Sequence, residues 1–546
     1  MWHAFALRLL MGSHRLLFAA LLLAVGSLSA QPGRDVVAPL PSHPVVAPPS
    51  HVVQIVIHRG DPTEKLINAL GTDNYQPDGT FAAIRVEFCG EFDLTGQHIY
   101  VGGNRSLVAA PGCERTARRV GPLIYVTKVP PNKALFDVRG DNVVFSGFRL
   151  QGPNGGEFIA DGDANTESGI LIFPKPATEC EAAAPLRHIE ISNMEIYDWS
   201  GAGVYVQDFA SAAMQHGRLT KDTIGAVHVD DSFIHHNRHG DGFGYGVNTG
   251  QGGYTLIERT VFDENRHAIA GDSVNDDKDK DTGYVAQDFS GYTVQDNLIL
   301  PNGGDHCTES FGFPSCWYTH IIDMHGDRSV LLHGEHCCGH AGEQLIIRRN
   351  TVLYTGGDWH FLDYAREALD FLGLGGDHPG LAIKIRGDPT IGALIENNVF
   401  KHGSEASSID QNGEEVIVCF RFGCVPTLRV LNPYVARGNV YGKDPLAHLG
   451  SCDFVGNGDG EHDDFMATGI GWWAKSSVTH QWRYLNTQLE TLDQLELYDL
   501  DHDGVCDVVD RRHDANTPPR RYVKSGRGQW LEWGTTRDPN HSPGVG

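Results

Sequence analysis

Apolar and polar residues alternate over short stretches of the chain and recur as a repeated block. Each block holds an apolar residue, two or three polar residues, an alternating apolar pair, and then Asn or Gly, as in "ISNMEIYDWSGAG" and "IERTVFDENRHAIAG". Seven blocks are led by apolar residues that lie 28 to 53 positions apart: Phe145, Ile191, Val229, Ile257, Val294, Ile347 and Ile395. Short strands with Asn or Gly corners at irregular spacing predict a coil whose turns carry variable loops. A helical solenoid would show a 3.6-residue apolar period, which is missing here.

The pattern resembles the right-handed parallel β-helix proteins, such as pectate lyases and related polysaccharide-degrading enzymes, over residues 52–445. The stretch "TEKLINAL" (63–70) is expected to form a capping helix, and residues 84–112 resemble the first coils of that family. The predicted fold class is therefore all-β, a right-handed parallel β-helix (a solenoid) followed by a small C-terminal module. Because the fold hosts lyases, hydrolases, transferases and non-catalytic adhesins, it does not by itself predict one activity.

A second strand follows each Asn or Gly corner, and equivalent residues of successive turns stack about 4.7–4.9 Å apart. The predicted inward residues of these second strands are Val204, Tyr245, Ile269, Ile322, Ile383 and Ile409. Side chains alternate along a strand, so two outward columns follow. The first column is predicted to hold Tyr205, Gly246, Ala270, Asp323, Lys384 and Asp410. The second is predicted to hold Gln207, Asn248, Asp272, His325, Arg386 and Asn412.

The middle of this face gathers five ionisable residues, which are the predicted catalytic group: Asp272, Asp323, His325, Lys384 and Arg386. Small residues at 246 and 270 are expected to leave room for a ligand. Five such groups on adjacent strands offer an acid, a possible base and two cations. A solvated strand face is the structural alternative, in which such ion pairs contribute little stability.

Aromatic and histidine side chains are expected beside this groove. Two insertions, residues 303–318 and 358–380, are predicted to form walls, and they carry Trp317, Tyr318 and Trp359 as candidate sugar-binding aromatics. Two "NRH" corners place His239 and His267 about one turn apart as further candidate substrate contacts. The alternative for these corners is structural, because Asn residues at successive corners form hydrogen-bonded ladders.

After residue 446 the sequence becomes rich in acidic loops. "DLDHDGVCD" places acids at alternate positions of a tight turn, which suits a hard cation bound by oxygen atoms. The predicted calcium ligands are the side chains of Asp499, Asp501, Asp503 and Asp507 and the carbonyl of Val505.

An earlier acidic loop, residues 453–465, is a looser version of the same pattern. Its candidate calcium ligands are Asp453, Asn457, Asp459 and Asp464. Together the two loops and the segment between them resemble FG-GAP (VCBS-type) repeats, in which calcium loops join the strands of propeller blades. Two repeats cannot close a propeller, so residues 446–546 are predicted to form a truncated module appended to the coil.

Composition and termini restrict the location and partners of the protein. Residues 1–30 read as a secretory signal peptide, with two arginines before a short apolar run, and residues 31–51 as a Pro-rich linker. We therefore expect a secreted or extracellular protein without stable membrane insertion.

The formal charge of −26 over 546 residues argues against general nucleic-acid binding. Eleven cysteines in an exported chain predict disulfides, with Cys89–Cys113, Cys307–Cys316 and Cys419–Cys424 as close pairs.

Three functions are compatible with these features, and the acidic composition of the chain favours the first, with the other two as alternatives. The first is a secreted glycoside hydrolase that cleaves a polysaccharide in the groove, with Asp272 and Asp323 as its two carboxyl groups and His325 relaying protons. The second is a polysaccharide lyase, in which Lys384 and Arg386 neutralise a uronate and assist proton removal. The third is a non-catalytic, calcium-stabilised surface protein that binds glycans.

Overall fold

A computed structural model describes fifteen stretches of the chain: residues 52–71, 83–131, 133–154, 167–173, 186–207, 227–239, 243–250, 252–272, 290–310, 313–330, 334–356, 380–420, 423–455, 462–511 and 521–532. The predicted signal peptide and linker lie outside them. One α-helix, α1 (Thr63–Gly71), is present in the described stretches, where a capping helix was predicted. The other regular elements of the described residues are β-strands and short 3₁₀-helices, and the long parallel sheets confirm the predicted fold class of a parallel β-helix.

Three long parallel sheets form the coil, and the chain visits them in turn. Sheet 1 has eleven strands: Val52–Ile57, Ala83–Phe88, Arg105–Ala109, Val143–Ser146, Ile189–Ser192, Val227–Asp230, Tyr254–Glu258, Gly291–Gln295, Gln344–Arg348, Gly392–Glu396 and Val435–Arg437. Sheet 2 has nine: Ile99–Val101, Ala134–Val138, Ser168–Ile172, Ala202–Gln207, Tyr245–Gly250, His267–Gly271, Ile322–Met324, Ile383–Arg386 and Ile409–Asn412. Sheet 3 has ten: Glu91–Asp93, Leu123–Tyr125, Arg149–Gln151, Glu195–Tyr197, Phe233–His235, Val261–Asp263, Leu298–Ile299, Thr351–Val352, Val399–Phe400 and Val440–Tyr441.

The apolar repeat sets the register of sheet 1. The seven residues predicted to lead the blocks pair rung by rung, from Phe145 with Ile191 through Ile347 with Ile395. All seven are buried in one continuous core that runs through the coil. Burial of the same face on every turn fixes the register, because a shift of one residue would turn each of these side chains to solvent.

Asparagines at the corners form the hydrogen-bonded ladders expected of this fold. In each bond of the longer ladder, the Nδ2 atom of one asparagine donates to the Oδ1 atom of the next over 3.0 Å. The ladder runs from Asn297 to Asn350, then to Asn398 and Asn439. Asn237 and Asn265 form a second, shorter ladder over 2.7 Å. The structural interpretation of the asparagines in the "NRH" corners is therefore confirmed.

Hairpins and a C-terminal region are added to the coil. In the described part of the chain, three antiparallel hairpins leave it: Asp305–Ser310 with Phe313–Tyr318, Arg328–Val330 with Gly334–Cys338, and Glu414–Phe420 with Gly423–Arg429. The C-terminal region has two four-stranded antiparallel sheets. Their strands are Gly450–Cys452, Asp463–Ala467, Trp472–Lys475 and Trp482–Asn486, then Leu495–Tyr498, Asp507–Asp510, Arg521–Val523 and Leu531–Glu532. Short 3₁₀-helices occur at Pro445–Ala447, Leu492–Gln494 and Lys524–Gly526.

Disulfides and apolar contacts hold these parts together. The predicted bond Cys89–Cys113 is present, and Cys452–Cys506 joins the two C-terminal sheets. Cys307 faces Cys316, and Cys419 faces Cys424, across their hairpins, although the side chains of these four lie outside the described residues. The C-terminal region packs on sheet 3, in a buried cluster that includes Val261, Leu298, Leu353, Met466, Trp473 and Trp482.

Candidate active site

The rungs of sheet 2 carry the predicted catalytic group, and one rung differs from the predicted register. The inward residues Ile269, Ile322, Ile383 and Ile409 lie side by side as predicted. The prediction for Tyr245 is wrong by two residues. Tyr245 pairs with His267, and Val247 takes the inward place beside Ile269. Tyr245 lies outside the main core, with its ring stacked on that of His267 at 5.8 Å.

Because of this two-residue difference, the predicted residues of both outward columns are wrong at one rung. Asn248, not Gly246, stands beside Ala270 in the first column, and Gly250 replaces Asn248 in the second. A Cβ atom at this position would lie 2.8 Å from the carboxylate of Asp272, so a side chain here would require that carboxylate to move. The space beside Gly250 is therefore occupied by the carboxylate of Asp272.

Asp323 is the centre of a buried polar cluster on the outward face. Its Oδ2 atom lies 2.6 Å from Nε2 of His325 and 2.9 Å from Nε2 of His320, and its Oδ1 atom lies 3.3 Å from Nε of Arg386. The Asp323 side chain has no solvent exposure, whereas those of His325 and Arg386 are 19% and 14% exposed. The carboxylate is thus covered by the two groups that reach the surface.

Electrostatics keeps Asp323 ionised despite its burial. Removal from water raises the pKa of its carboxyl group, but Arg386, His320 and His325 outweigh that effect and hold the pKa well below its usual range. Asp323 therefore orients and stabilises charge on its neighbours, and it does not release a proton near neutral pH.

His320 is the residue that sequence reasoning missed. It precedes the apolar pair Ile321 and Ile322, at the start of a rung, where its side chain was not assigned to an outward column. In the structure its ring stacks on His267 at 4.5 Å, and its Nε2 atom lies 3.2 Å from the guanidinium of Arg386. The signal was present in the sequence, since Tyr245, His267 and His320 all stand at the first position after a corner.

His267, predicted as a substrate contact, is fully buried in this stack. Its Nδ1 atom donates to the carbonyl of His320 over 2.6 Å, which leaves Nε2 as the lone-pair nitrogen. Burial, followed by the charges of Arg266 and His320, lowers the pKa of His267 well below its usual value. A neutral ring here supports its neighbours by packing rather than by charge.

A metal ion does not fit this cluster, although His267, His320 and Asp323 have potential ligand atoms within 4.8 Å of one another. The two imidazole rings are stacked with only 16° between their planes, so their in-plane lone pairs do not converge on one point. The guanidinium of Arg386 also supplies positive charge at the same place. The arrangement suits proton transfer and anion binding better than coordination.

Lys384 and Asp272 flank the cluster. Lys384 is beside Asp323 in the sheet, but its ammonium group pairs with Asp410 and lies 3.3 Å from Oδ1 of Asn412. Its side chain is 4% exposed. Asp272 is partly exposed, and its backbone pairs with that of His325 in an isolated parallel β-bridge. The predicted five residues therefore do share one surface, with Asp272, His325 and Arg386 the ones accessible from outside.

The remaining predicted substrate contacts lie elsewhere or outside the described residues. His239 has no solvent exposure, and its ring is 6.0 Å from that of Phe243, so a direct substrate contact is not supported. Trp317 and Tyr318 belong to the hairpin strand Phe313–Tyr318, whose side chains are not described. Trp359 lies outside the described residues.

The acidic loop at 499–507 brings oxygen atoms together as a calcium site would. Ligand atoms of Asp499, Asp501 and Asp507 lie within 4.8 Å of one another, and Oδ1 of Asp501 is buried without a hydrogen bond among the described residues. Gly504 adopts a φ of +84°, which permits the tight turn. Burial and the charges of Asp501 and Asp503 act to raise the pKa of Asp507. The loop carries excess negative charge that a cation would neutralise.

The ammonium group of Lys524 forms ion pairs with two carboxylates of this loop. The Nζ atom of Lys524 is 2.6 Å from Oδ2 of Asp501 and 2.9 Å from Oδ2 of Asp503. This ammonium lowers the pKa of Asp503 and competes with a metal ion for the same oxygens. In the looser loop, Oδ1 of Asp453 accepts the backbone N–H of Val455, and Asp464 pairs with Ser451 in a sheet. Its other candidate ligands, Asn457 and Asp459, lie outside the described residues.

Comparison with known proteins gives distant structural similarities only. No protein-family model and no curated protein matches the chain. The alginate lyase from Paenibacillus sp. str. FPU-7 is similar at 12% identity over 72% of this chain and 99% of that chain, with a TM-score of 0.31. The Dettilon tailspike protein matches at 13% identity over 72% and 71% (TM-score 0.26), and the Agl-KA catalytic domain at 13% over 74% and 66% (TM-score 0.32). Similarities this distant do not assign a function, and the fold is established by the three sheets themselves.

Among the described residues, no helix is both long and apolar enough to span a bilayer.

Proposed function

We propose that this protein is an exported carbohydrate-active enzyme that cleaves an acidic polysaccharide by β-elimination on the outward face of sheet 2. The observation that carries the proposal is the environment of Asp323, a fully buried carboxylate contacted by His325 and Arg386, both of which reach the surface. A carboxylate in this position orients an imidazole and makes it a better proton acceptor.

Each step of the elimination has a residue to perform it. Arg386 binds the carboxylate of a uronate residue, which makes the proton on the adjacent carbon more acidic. His325 removes that proton while Asp323 stabilises the imidazolium that forms. The electron pair of the broken C–H bond forms a C=C bond, the bond to the leaving glycosidic oxygen breaks, and that oxygen takes up a proton from water. Lys384, engaged by Asp410, stabilises the next rung and is not assigned to a step.

Hydrolysis with Asp272 and Asp323 as the two carboxyl groups is the second candidate. The observation that favours hydrolysis is that Asp272, whose backbone pairs with that of His325, is partly exposed and so can reach a substrate. A hydrolase requires both carboxyl groups to reach the substrate or its water. Asp323 has no exposure and its two oxygens contact three cationic or hydrogen-bonding groups, so it is better placed to position His325 than to attack a sugar.

Calcium is proposed as a structural ligand of the C-terminal region. Asp499, Asp501, Asp503, Asp507 and the carbonyl of Val505 would surround it with hard oxygen ligands. The orphaned Oδ1 atom of Asp501 supports this assignment. Whether the region is related to FG-GAP repeats stays a prediction.

Product analysis on a panel of neutral and acidic polysaccharides tests the proposed reaction. Elimination gives new reducing ends together with the ultraviolet absorbance of an unsaturated uronate. Reducing ends without that absorbance would favour hydrolysis, and neither product on a broad panel would favour a glycan-binding protein. His325→Ala should abolish formation of the product. The control is Arg437→Gln, which replaces an exposed arginine on the last strand of sheet 1 and should leave product formation unchanged.

A further inference from the structure

A second buried carboxylate lies on the outward face of sheet 2, close to the N-terminal end of the coil. Asp137 is paired with Arg139, whose Nε and Nη2 atoms each lie 2.5 Å from one of its two oxygens, and Nε2 of His98 lies 3.5 Å away. The Asp137 side chain is 2% exposed, whereas those of His98 and Arg139 are 14% and 22% exposed. As around Asp323, a buried carboxylate is covered by a histidine and an arginine that reach the surface.

This second cluster repeats part of the backbone pattern of the candidate active site. There, Nδ1 of His267 donates to the backbone carbonyl that lies three residues before Asp323 on the next rung. In the same way, Nδ1 of His98 donates over 2.6 Å to the carbonyl three residues before Asp137. The two clusters differ two residues after the aspartate, where Arg139 takes the place of the proposed base. A guanidinium does not accept a proton, so the second cluster lacks the group that would start an elimination.

The two carboxylates, Asp137 and Asp323, stand in the same outward column of sheet 2. The register connects them rung by rung through Leu171, Tyr205, Asn248 and Ala270. Five rung spacings of about 4.8 Å place them about 24 Å apart along the coil. A polymer that lies along this column therefore passes both clusters.

An exposed aromatic ring stands beside the second cluster. Tyr100 pairs with Asp137 in the sheet and is 59% exposed. The ring of His98 meets it edge-to-face at 4.7 Å, and the guanidinium of Arg139 lies over it at 5.7 Å. The same guanidinium lies 4.6 Å from the ring of Phe173. Because Asp137 accepts from Nε and Nη2, the third nitrogen, Nη1, has no hydrogen bond among the described residues.

Stability alone accounts for only part of this arrangement. A buried carboxylate needs a cation nearby, so Asp137 by itself explains the presence of Arg139. It does not explain why the exposed ring of Tyr100 is held in one orientation by two neighbours at the same place. A ring fixed in this way loses little conformational entropy when a ligand stacks on it.

We propose that Tyr100 and Arg139 form a remote sugar-binding subsite for the same acidic polysaccharide, on the same face as Asp323 and about 24 Å from it. The apolar face of a sugar ring stacks on Tyr100, and Nη1 of Arg139 donates to a carboxylate or hydroxyl oxygen of that sugar. The identity of the ligand rests on the proposed function, whereas the position of the subsite rests on the geometry around Asp137.

A subsite at this distance makes binding depend on the length of the glycan. A fragment that reaches from Arg386 to Tyr100 binds at both places, and the second contact forms within the complex rather than by a new encounter. A shorter fragment binds at only one place at a time. The wild-type protein should therefore prefer long fragments, and that preference should require Tyr100.

Calorimetric binding of the full chain in the His325→Ala background tests the subsite without cleavage. The probes are size-fractionated fragments of polygalacturonate and of hyaluronan, one fraction shorter and one longer than about 24 Å when extended. The first variant is Tyr100→Ala, which leaves the Asp137–Arg139 pair intact, and the second is Arg139→Gln. The matched control is Tyr125→Ala, which replaces a partly exposed tyrosine on sheet 3. Circular dichroism and thermal unfolding check that each variant is folded.

The subsite is supported if, in at least one series, the long fraction binds about tenfold or more tighter than the short one, and Tyr100→Ala removes most of that difference while Tyr125→Ala retains it. Equal affinity for both fractions, no binding of either series, or a length preference that survives Tyr100→Ala would overturn it. Failure of the proposed function is seen separately, as absence of cleavage products from the wild-type protein.

Discussion

The Nε2 atom of His325 lies 2.6 Å from Oδ2 of Asp323, a carboxylate that has no contact with solvent. This ion pair places a buried anion directly beside an imidazole that reaches the surface. Arg386, 3.3 Å from the other oxygen of the same carboxylate, adds a cation at the surface.

Asp323→Asn should lower the rate of polysaccharide cleavage by a factor of about 10²–10⁴, the usual contribution of a positioned proton-transfer group. The variant should also lower the free energy of unfolding, by about 3 kcal/mol, because Arg386 loses its partner in a buried site. Initial rates and urea unfolding measure the two effects. The control is Asp296→Asn, another carboxylate paired with an arginine (Arg349, 2.6 Å), which should lose stability but retain its cleavage rate. Equal cleavage rates in the two variants would show that Asp323 is not part of the catalytic site.

Acid should destabilise the protein in part through His267. The pKa of this buried ring is held well below the ordinary value of 6.5, so below about pH 6.5 the unfolded chain binds a proton that the folded chain does not. The free energy of unfolding should therefore fall as the pH drops from 6.5 towards the folded pKa, by up to about 1.4 kcal/mol per pH unit for this one group.

Urea unfolding of wild type and His267→Gln at pH 7.5, 6.5 and 5.5 isolates that contribution. These three pH values are chosen to bracket about pH 6.5, the unfolded pKa of the ring. The pH dependence should be flatter in the variant, because it has no imidazole at this position. Parallel curves for the two proteins would show that His267 titrates alike in both states.

Calcium should stabilise the C-terminal region, and Lys524 should weaken that effect. Lys524→Met removes the ammonium from Asp501 and Asp503, so the metal-free loop has more repulsion and the metal binds more tightly. The fall in Tm on chelation should be larger in this variant than in wild type. Lys65→Met, which removes an exposed lysine paired with Asp61, should behave as wild type. A Tm that chelation leaves unchanged in all three proteins would show that the loop binds no calcium.

Asn350→Ala tests the asparagine ladder that holds the corners of the coil. The variant leaves two buried N–H donors of Asn297 without their acceptor and removes the side-chain donor to Asn398, which should cost about 2–4 kcal/mol in the free energy of unfolding. Asn302→Ala removes an exposed amide that bonds to Asp263, and should change stability by no more than about 0.5 kcal/mol. Similar stability of both variants would mean that water replaces the ladder.

The coil could be predicted from sequence because burial repeats on every turn. Phe145, Ile191 and their successors were aligned from their apolar character, and this alignment is the register of sheet 1. The same reasoning placed Ile269, Ile322 and Ile383 correctly on sheet 2, and with them Asp323 and His325.

The errors arose where the apolar alternation is weak. "GYGVNTG" offers both Tyr245 and Val247 as inward residues, and an aromatic ring is usually the stronger candidate for burial. Tyr245 instead stacks on His267 outside the coil, a contact between residues 22 positions apart that no local pattern reveals. His320 stands at the first position after a corner, as His267 does, but its importance comes from contacts with Asp323, His267 and Arg386 on three rungs.

A crystal structure of the His325→Ala variant with a bound acidic oligosaccharide would test the central claim most directly. The account predicts a uronate carboxylate within hydrogen-bond distance of Arg386, with the carbon that loses its proton facing the place vacated by the imidazole of residue 325. Density for the sugar only at another place on the protein would contradict the assignment of the catalytic site to Asp323, His325 and Arg386.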